Sequence, residues 1–242
     1  MTCVACGKPI PLPTLDPFRC PGCRKATIVI TPRDGLPSFF ATGLAKALVG
    51  EQPCLLAPWV FAHLQIEKRP RDGSSLAQWK MNHTDRLHRE VDRLKADGWT
   101  CTIERFFRLT GQTAILSGKP DIVAQKAECR PRIVDIKAGQ ELESDTAQVL
   151  CYMYALPIVW RAPYMQFEGQ VVYPGQTVTI HPTAVDDFKS KLFALLKRLA
   201  SQDRPEASPS VGSCRFCEVP ESECSERITD AAPHDVRVTG DF

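Results

Sequence analysis

Gly118-Lys119-Pro120-Asp121-Ile122-Val123 and, across a turn at Cys129-Arg130-Pro131, Arg132-Ile133-Val134-Asp135-Ile136-Lys137 decide how this chain reads. Both stretches are rich in β-branched residues and bounded by turn formers, which predicts a hairpin. Side chains alternate along a strand, so Asp135 and Lys137 share one face while Val134 and Ile136 take the other. Asp121 on the neighbouring strand brings a second carboxylate beside Asp135. Two acids side by side in a partly dry site repel, and the usual remedy is a divalent cation held by oxygen ligands. A lysine next to them can orient or deprotonate an attacking water. Asp-x-Lys alone would equally suit a cross-strand salt bridge, so the context must decide.

Working outward, a helix is expected from about Ser75 to Ala96, with Leu87, Val91 and Leu94 as its buried stripe and His88 at the stripe's edge. Trp99–Leu109, Ala114–Gln125 and Arg132–Lys137 read as three strands. Thr146-Ala147-Gln148-Val149-Leu150-Cys151-Tyr152 follows, and on a helix Gln148 and Tyr152 stack on one face. In this order, Leu87–Ala155 resembles the PD-(D/E)XK nuclease superfamily, and within it the RecB-like exonuclease branch. The resemblance implies an α/β, restriction-endonuclease-like mixed sheet flanked by helices. It implies an Mg²⁺- or Mn²⁺-dependent enzyme that hydrolyses DNA phosphodiester bonds, as an exonuclease or single-strand nuclease. Asp121, Asp135, Lys137, Gln148 and Tyr152 are then the expected catalytic residues. His88, Asp121, Asp135 and the backbone carbonyl of Ile136 are the expected metal ligands. His63, His83, His181 and His234 have no motif support and read as structural or surface residues.

The eleven cysteines divide into sets. Cys3-x2-Cys6 and Cys20-x2-Cys23 suit tetrahedral sulfur on two knuckles, as in a structural zinc ribbon over about residues 1–25. Cys214, Cys217 and Cys224 lie near the other end and need a fourth partner, for which Cys54 is the candidate. One cysteine before the core and three after it resembles the iron–sulfur CRISPR adaptation nucleases and the AddB-type nuclease domains. That resemblance implies a structural [4Fe–4S] cluster, with a second zinc as the alternative. Leu55-Leu56 follows Cys54 where that family usually has Pro-Arg. Cys101, Cys129 and Cys151 read as packing residues.

The length suits one core domain with an appendage. The expected division is the ribbon, a nuclease core with N-terminal helices over 26–204, a linker and cysteine cluster over 205–224, and a flexible tail over 225–242. Helices are expected at Ser38–Val49, Leu55–Gln65 and Ala184–Ala200, with short strands at Gly169–Tyr173 and Thr177–His181. No apolar run is long enough to span a bilayer and no secretory signal is visible, so a cytoplasmic location is expected. A net charge of only +2 means that a DNA-binding surface must be a local patch. Lys68, Arg69 and Arg71, in a turn between helices, are the candidate strand-guiding loop. Lys189, Lys191, Lys197 and Arg198 read as a solvated helix face. DNA with free ends or single strands is the expected partner, with a protein partner possible through the ribbon. The rival readings are a non-catalytic binding module and an RNA-directed nuclease.

Overall fold

The computed structural model describes residues 31–66, 74–215 and 217–228. The expected zinc ribbon, the basic residues Lys68, Arg69 and Arg71, and the tail beyond 228 lie outside them. In chain order, β1 (Thr31–Pro32), β2 (Ser38–Phe40), α1 (Ala41–Leu48), α2 (Leu56–His63), β3 (Leu64–Gln65) and α3 (Ser74–Ala96) come first. β4 (Thr100–Ile103), β5 (Phe107–Thr110), β6 (Ile115–Gly118), β7 (Ile122–Gln125) and β8 (Arg132–Ile136) follow. The chain continues through α4 (Glu143–Val159), β9 (Glu168–Val172), β10 (Thr177–Ile180), α5 (Ala184–Ala200) and α6 (Val211–Arg215).

The strands form a five-stranded sheet in the order β10-β9-β8-β7-β4, a three-stranded sheet in the order β2-β6-β5, and a small β1-β3 pair. Both larger sheets are mixed. β8 and β9 run parallel and are bridged by α4, while β2 runs parallel to β6. This mixed α/β architecture is that of a restriction-endonuclease-like core.

Three expectations need correction. Ser38–Phe40 is a strand rather than the first turn of a helix, because its backbone pairs with Ile115–Ser117. Each of the two long strands expected at 99–109 and 114–125 is broken in two. Glu104 adopts a left-handed backbone (φ 49) between β4 and β5, and Lys119-Pro120 interrupts the chain between β6 and β7. Proline donates no ladder hydrogen bond, so the strand cannot run through it. The two breaks let one run of chain serve two sheets.

Helix α4 is the central element and is buried on almost every side. Its first turn has no side-chain cap of its own, but Glu51 accepts the Ser144 N–H at 3.0 Å and supplies a carboxylate there. Glycines let the helix approach the sheets closely. A Cβ at Gly118 would stand 2.6 Å from the Tyr152 ring, and one at Gly169 would stand 2.7 Å from Val149 and Met153. One core lies around α4, from Leu44 and Val60 through Ile133, Leu156 and Phe167 to Leu192. A second lies beneath α3, with Leu87, Val91 and Leu94 against Ile122, Val134 and Ile136. The alternation along β8 therefore sends Ile133 and Asp135 toward α4, and Val134 and Ile136 toward α3. Fully buried side chains of this size each contribute about 1.5–3 kcal/mol.

Candidate active site

The β7–β8 hairpin pairs Ile122 with Val134. Extended by one residue, that register sets Asp121 opposite Asp135. Asp121 lies where the chain turns from β6 into β7, and its Oδ2 accepts the Ile136 N–H at 2.7 Å. The same oxygen is 3.3 Å from His83 Nε2 on α3. This hydrogen bond raises the pKa of His83, against the opposing pull of burial.

Asp135 is only 2 % exposed. Its Oδ1 accepts a hydrogen bond from Gln148 Nε2 at 3.0 Å, and its Oδ2 stands 2.8 Å from the Lys137 ammonium. Burial pushes the Asp135 carboxyl up to about 6, with Lys137 pulling in the other direction. Lys137 Nζ is also 3.1 Å from Asp145 Oδ1 and 3.2 Å from Gln148 Oε1. Burial pulls Lys137 down, but the two carboxylates outweigh it and hold the ammonium above its usual value. Gln148 thus turns its oxygen to the cation and its nitrogen to the carboxylate; the reverse orientation would oppose like partial charges. Gln148 Nε2 also donates to the Tyr152 hydroxyl at 2.8 Å. Burial raises the Tyr152 pKa, so it remains a neutral phenol.

Four of the expected residues, Asp135, Lys137, Gln148 and Tyr152, therefore form one connected network, and Asp121 stands opposite Asp135, bound to the Ile136 N–H and His83. His88 does not join it: its side chain is exposed, and His83 is the histidine against Asp121. The helical period explains the difference. Leu94, Val91 and Leu87 recur at steps of three and four, and one more step of four gives His83, whereas His88 is rotated about 100° from Leu87. That signal was in the sequence. Asp145 was also missed. It is buried in the first turn of α4, and its second oxygen accepts the Tyr173 hydroxyl at 2.9 Å. The two residues come from different elements, and no short motif links them.

Among the described residues, no three His, Cys, Asp or Glu side chains are drawn together as a chelate for one ion. Each active-site carboxylate is engaged by protein donors instead. One feature nevertheless suits a cation. Asp135 Oδ2 is buried without a hydrogen-bond partner, the Lys137 ammonium standing beside it at ion-pair distance but out of hydrogen-bonding alignment. Lys137 already supplies positive charge beside that oxygen, and a bound cation would complete its remaining lone pairs.

Cys54, from the loop before α2, lines one cavity of about 20 Å³ together with Cys214, Cys217 and Cys224, without the four thiols being drawn in as a ligand set. Arg227 braces this corner by donating to the carbonyls of Cys214, Cys217 and Val219. Burial raises the Cys217 and Cys224 thiols, and also Cys151, which is pushed up to about 12 within the core. His63 has a structural place: it stacks on Trp59 at 4.5 Å and bonds the Leu199 carbonyl. Among the described residues, no helix is long and apolar enough to cross a membrane.

A mixed α/β core with an acid–acid–lysine set at a strand bend is the arrangement of a phosphodiester-cleaving nuclease. The family model of the PD-(D/E)XK nuclease superfamily matches residues 53–222, and the chain belongs to that superfamily. Membership implies hydrolysis of phosphodiester bonds. No curated protein matches the chain. Among solved structures it is similar to the crystal structure of SSO0001, at 12% identity over 81% of this chain and 90% of that one, with a TM-score of 0.39.

Proposed function

We propose that this protein is an Mg²⁺- or Mn²⁺-dependent deoxyribonuclease of the RecB-like branch, acting from a DNA end or on single strands. The observation that carries this reading is the network itself: Asp121 and Asp135 face each other across the hairpin, with Lys137, Gln148 and Tyr152 bound to Asp135 or to one another. Asp121, Asp135, the Ile136 carbonyl and His83 would hold the cation, with His83 in the role expected of His88. When bound, the cation supplies Lewis-acid charge at the scissile phosphate and makes its water a better nucleophile.

The chain's own groups do the rest. Lys137 presents a positive charge to the phosphate and positions the attacking water, steadying charge that grows in the transition state. Asp145 and Gln148 keep that ammonium in place. Tyr152 anchors Gln148, and Gln148 fixes the rotamer of Asp135. By resemblance, the products carry 5′-phosphate and 3′-hydroxyl ends. Beside the site, Asn82, Arg86 and Arg89 of α3 line a cavity of about 250 Å³ with Asp85 and Ala138, one residue beyond Lys137. Its two guanidinium groups suit the nucleic-acid backbone. By resemblance, Cys54, Cys214, Cys217 and Cys224, which line one cavity, would hold a structural [4Fe–4S] cluster, with zinc as the alternative.

The test is digestion of end-labelled single- and double-stranded DNA, beside matched RNA, in Mn²⁺ or EDTA. Cutting that needs both the metal and Asp135 supports the reading. Binding without cutting by folded protein would favour a non-catalytic module, and preferential RNA cutting would redirect the substrate.

A further inference from the structure

The three-stranded sheet has one face turned toward α4 and one turned away. Phe39, Leu116 and Phe107 occupy the inner face and join the main core. The register then assigns the outer face. Phe40 pairs with Ser117, and Ser117 pairs with Arg108, so these three form a row across the sheet. Phe106 precedes Phe107 and lies on the same side, its ring centroid 6.3 Å from that of Phe40 at an interplanar angle of 52°.

These two rings are 60 % and 56 % exposed. Single exposed apolar side chains are ordinary, but two phenyl rings in contact and both more than half in water are not. Their location gives them a use. Strand β6 leads from Ser117 through Gly118, Lys119 and Pro120 directly to Asp121. The loop that carries Phe106 is tied to Asp121 itself, since the Glu104 N–H donates to the Asp121 carbonyl at 2.9 Å. Glu104 is in turn balanced by Lys119 at 2.8 Å. Arg108 is exposed beside the rings.

We infer that Phe40 and Phe106 form a stacking platform for unpaired bases of the nucleic-acid strand whose phosphate enters the active site. The inference rests on the nuclease reading and deepens it to a single-stranded, or locally opened, substrate. A base inside a duplex keeps both faces stacked on its neighbours and offers neither to a side chain. An unpaired base presents its face, and aromatic side chains with adjacent cations bind such strands with little sequence preference. The exposed position of Arg108 fits that division, with the rings taking bases and its guanidinium a phosphate. The surface is continuous with the catalytic site, as a substrate path must be.

Binding of fluorescein-labelled oligothymidylate and of a blunt duplex, followed by anisotropy in EDTA, tests this without any need for cleavage. Phe40→Ala/Phe106→Ala should weaken oligothymidylate binding about tenfold or more, in line with the usual cost of losing a base-stacking ring, and leave duplex binding nearly unchanged. Phe40→Trp should restore most of the loss, and thermal melting of each variant checks the fold. Equal losses for both nucleic acids, or parent-like binding of the single strand, would overturn the platform while leaving a metal-dependent nuclease intact. A double variant that binds normally but melts at a lower temperature would assign the rings to packing instead. A parent protein that neither binds nor cuts nucleic acid would remove the nuclease reading and the platform together.

Discussion

Asp145 Oδ1, in the first turn of the crossover helix α4, stands 3.1 Å from the Lys137 ammonium. With Asp135 Oδ2 at ion-pair distance and Gln148 Oε1 accepting a hydrogen bond, it surrounds the Lys137 ammonium with three oxygens, which orient the side chain. Tyr173 locks Asp145 from behind. Asp145→Asn keeps the shape but removes one of the two charges holding Lys137. Turnover should fall about ten- to a hundredfold, as for other residues that orient a reactive group, with KM changed far less. Tyr173→Phe should show a weaker version of the same split. Steady-state kinetics on a labelled oligonucleotide give both numbers, and a loss confined to KM would contradict the positioning role.

Asp135 makes a prediction about stability rather than rate. Its folded pKa is raised, so the native state holds this proton more tightly than the unfolded chain. The sign is that stability is greatest below the ordinary aspartate pKa and declines as pH rises through about 6. In EDTA at neutral pH, Asp135→Asn should therefore be more stable than the parent, by roughly 1–3 kcal/mol. Adding Mn²⁺ should raise the parent's melting temperature and leave the variant's unchanged. Melting curves between pH 4 and pH 8 check both statements; a parent insensitive to pH over that interval would contradict the first.

His83 and His88 separate cleanly by mutation. His83→Ala removes the ring against Asp121 and should lower metal-dependent cutting about ten- to a hundredfold. His88→Ala, on the exposed side of the helix, should cut like the parent. Activity titrated against Mn²⁺ is the readout. A His88 variant weaker than the His83 variant would remove His83 from the cation site.

Cys54 and the C-terminal cysteines lie far apart in sequence but meet at one cavity. Anaerobically purified protein should carry iron and sulfide, about four iron atoms per chain. Cys214→Ser should lose them and melt earlier, because the link between the two chain segments goes with the cluster. Elemental analysis and absorbance decide the matter; zinc in place of iron would select the alternative metal.

The hairpin, the Gln148/Tyr152 helix and α5 were legible because each depends on a local period. Alternation of β-branched residues marks β7 and β8, and apolar spacing places Ala184–Ala200 as the structure has it. Glu104 and Lys119 carry no breaking signal of their own, and Pro120 sits inside the Gly118–Asp121 motif, so local sequence predicts 99–109 and 114–125 as unbroken strands. Their interruption follows from pairing with two different sheets. For the same reason Ser38–Phe40, apolar and compatible with a helix, becomes a strand once Ile115–Ser117 lies beside it.

Local chemistry alone marked the candidate groups for phosphodiester cleavage: two carboxylates at strand positions that oppose each other, and a lysine sharing a face with one of them. Side-chain alternation and hairpin register are short-range geometry, and the chain order encodes them directly. Packing settled which other groups attend them. His83 rather than His88, Asp145 with Tyr173, Cys54 with Cys214, and Phe40 with Phe106 are each brought together from separate elements. Their proximity depends on how helices seat on sheets. That seating is the sum of many buried contacts spread over the whole core, and no local stretch of sequence contains it.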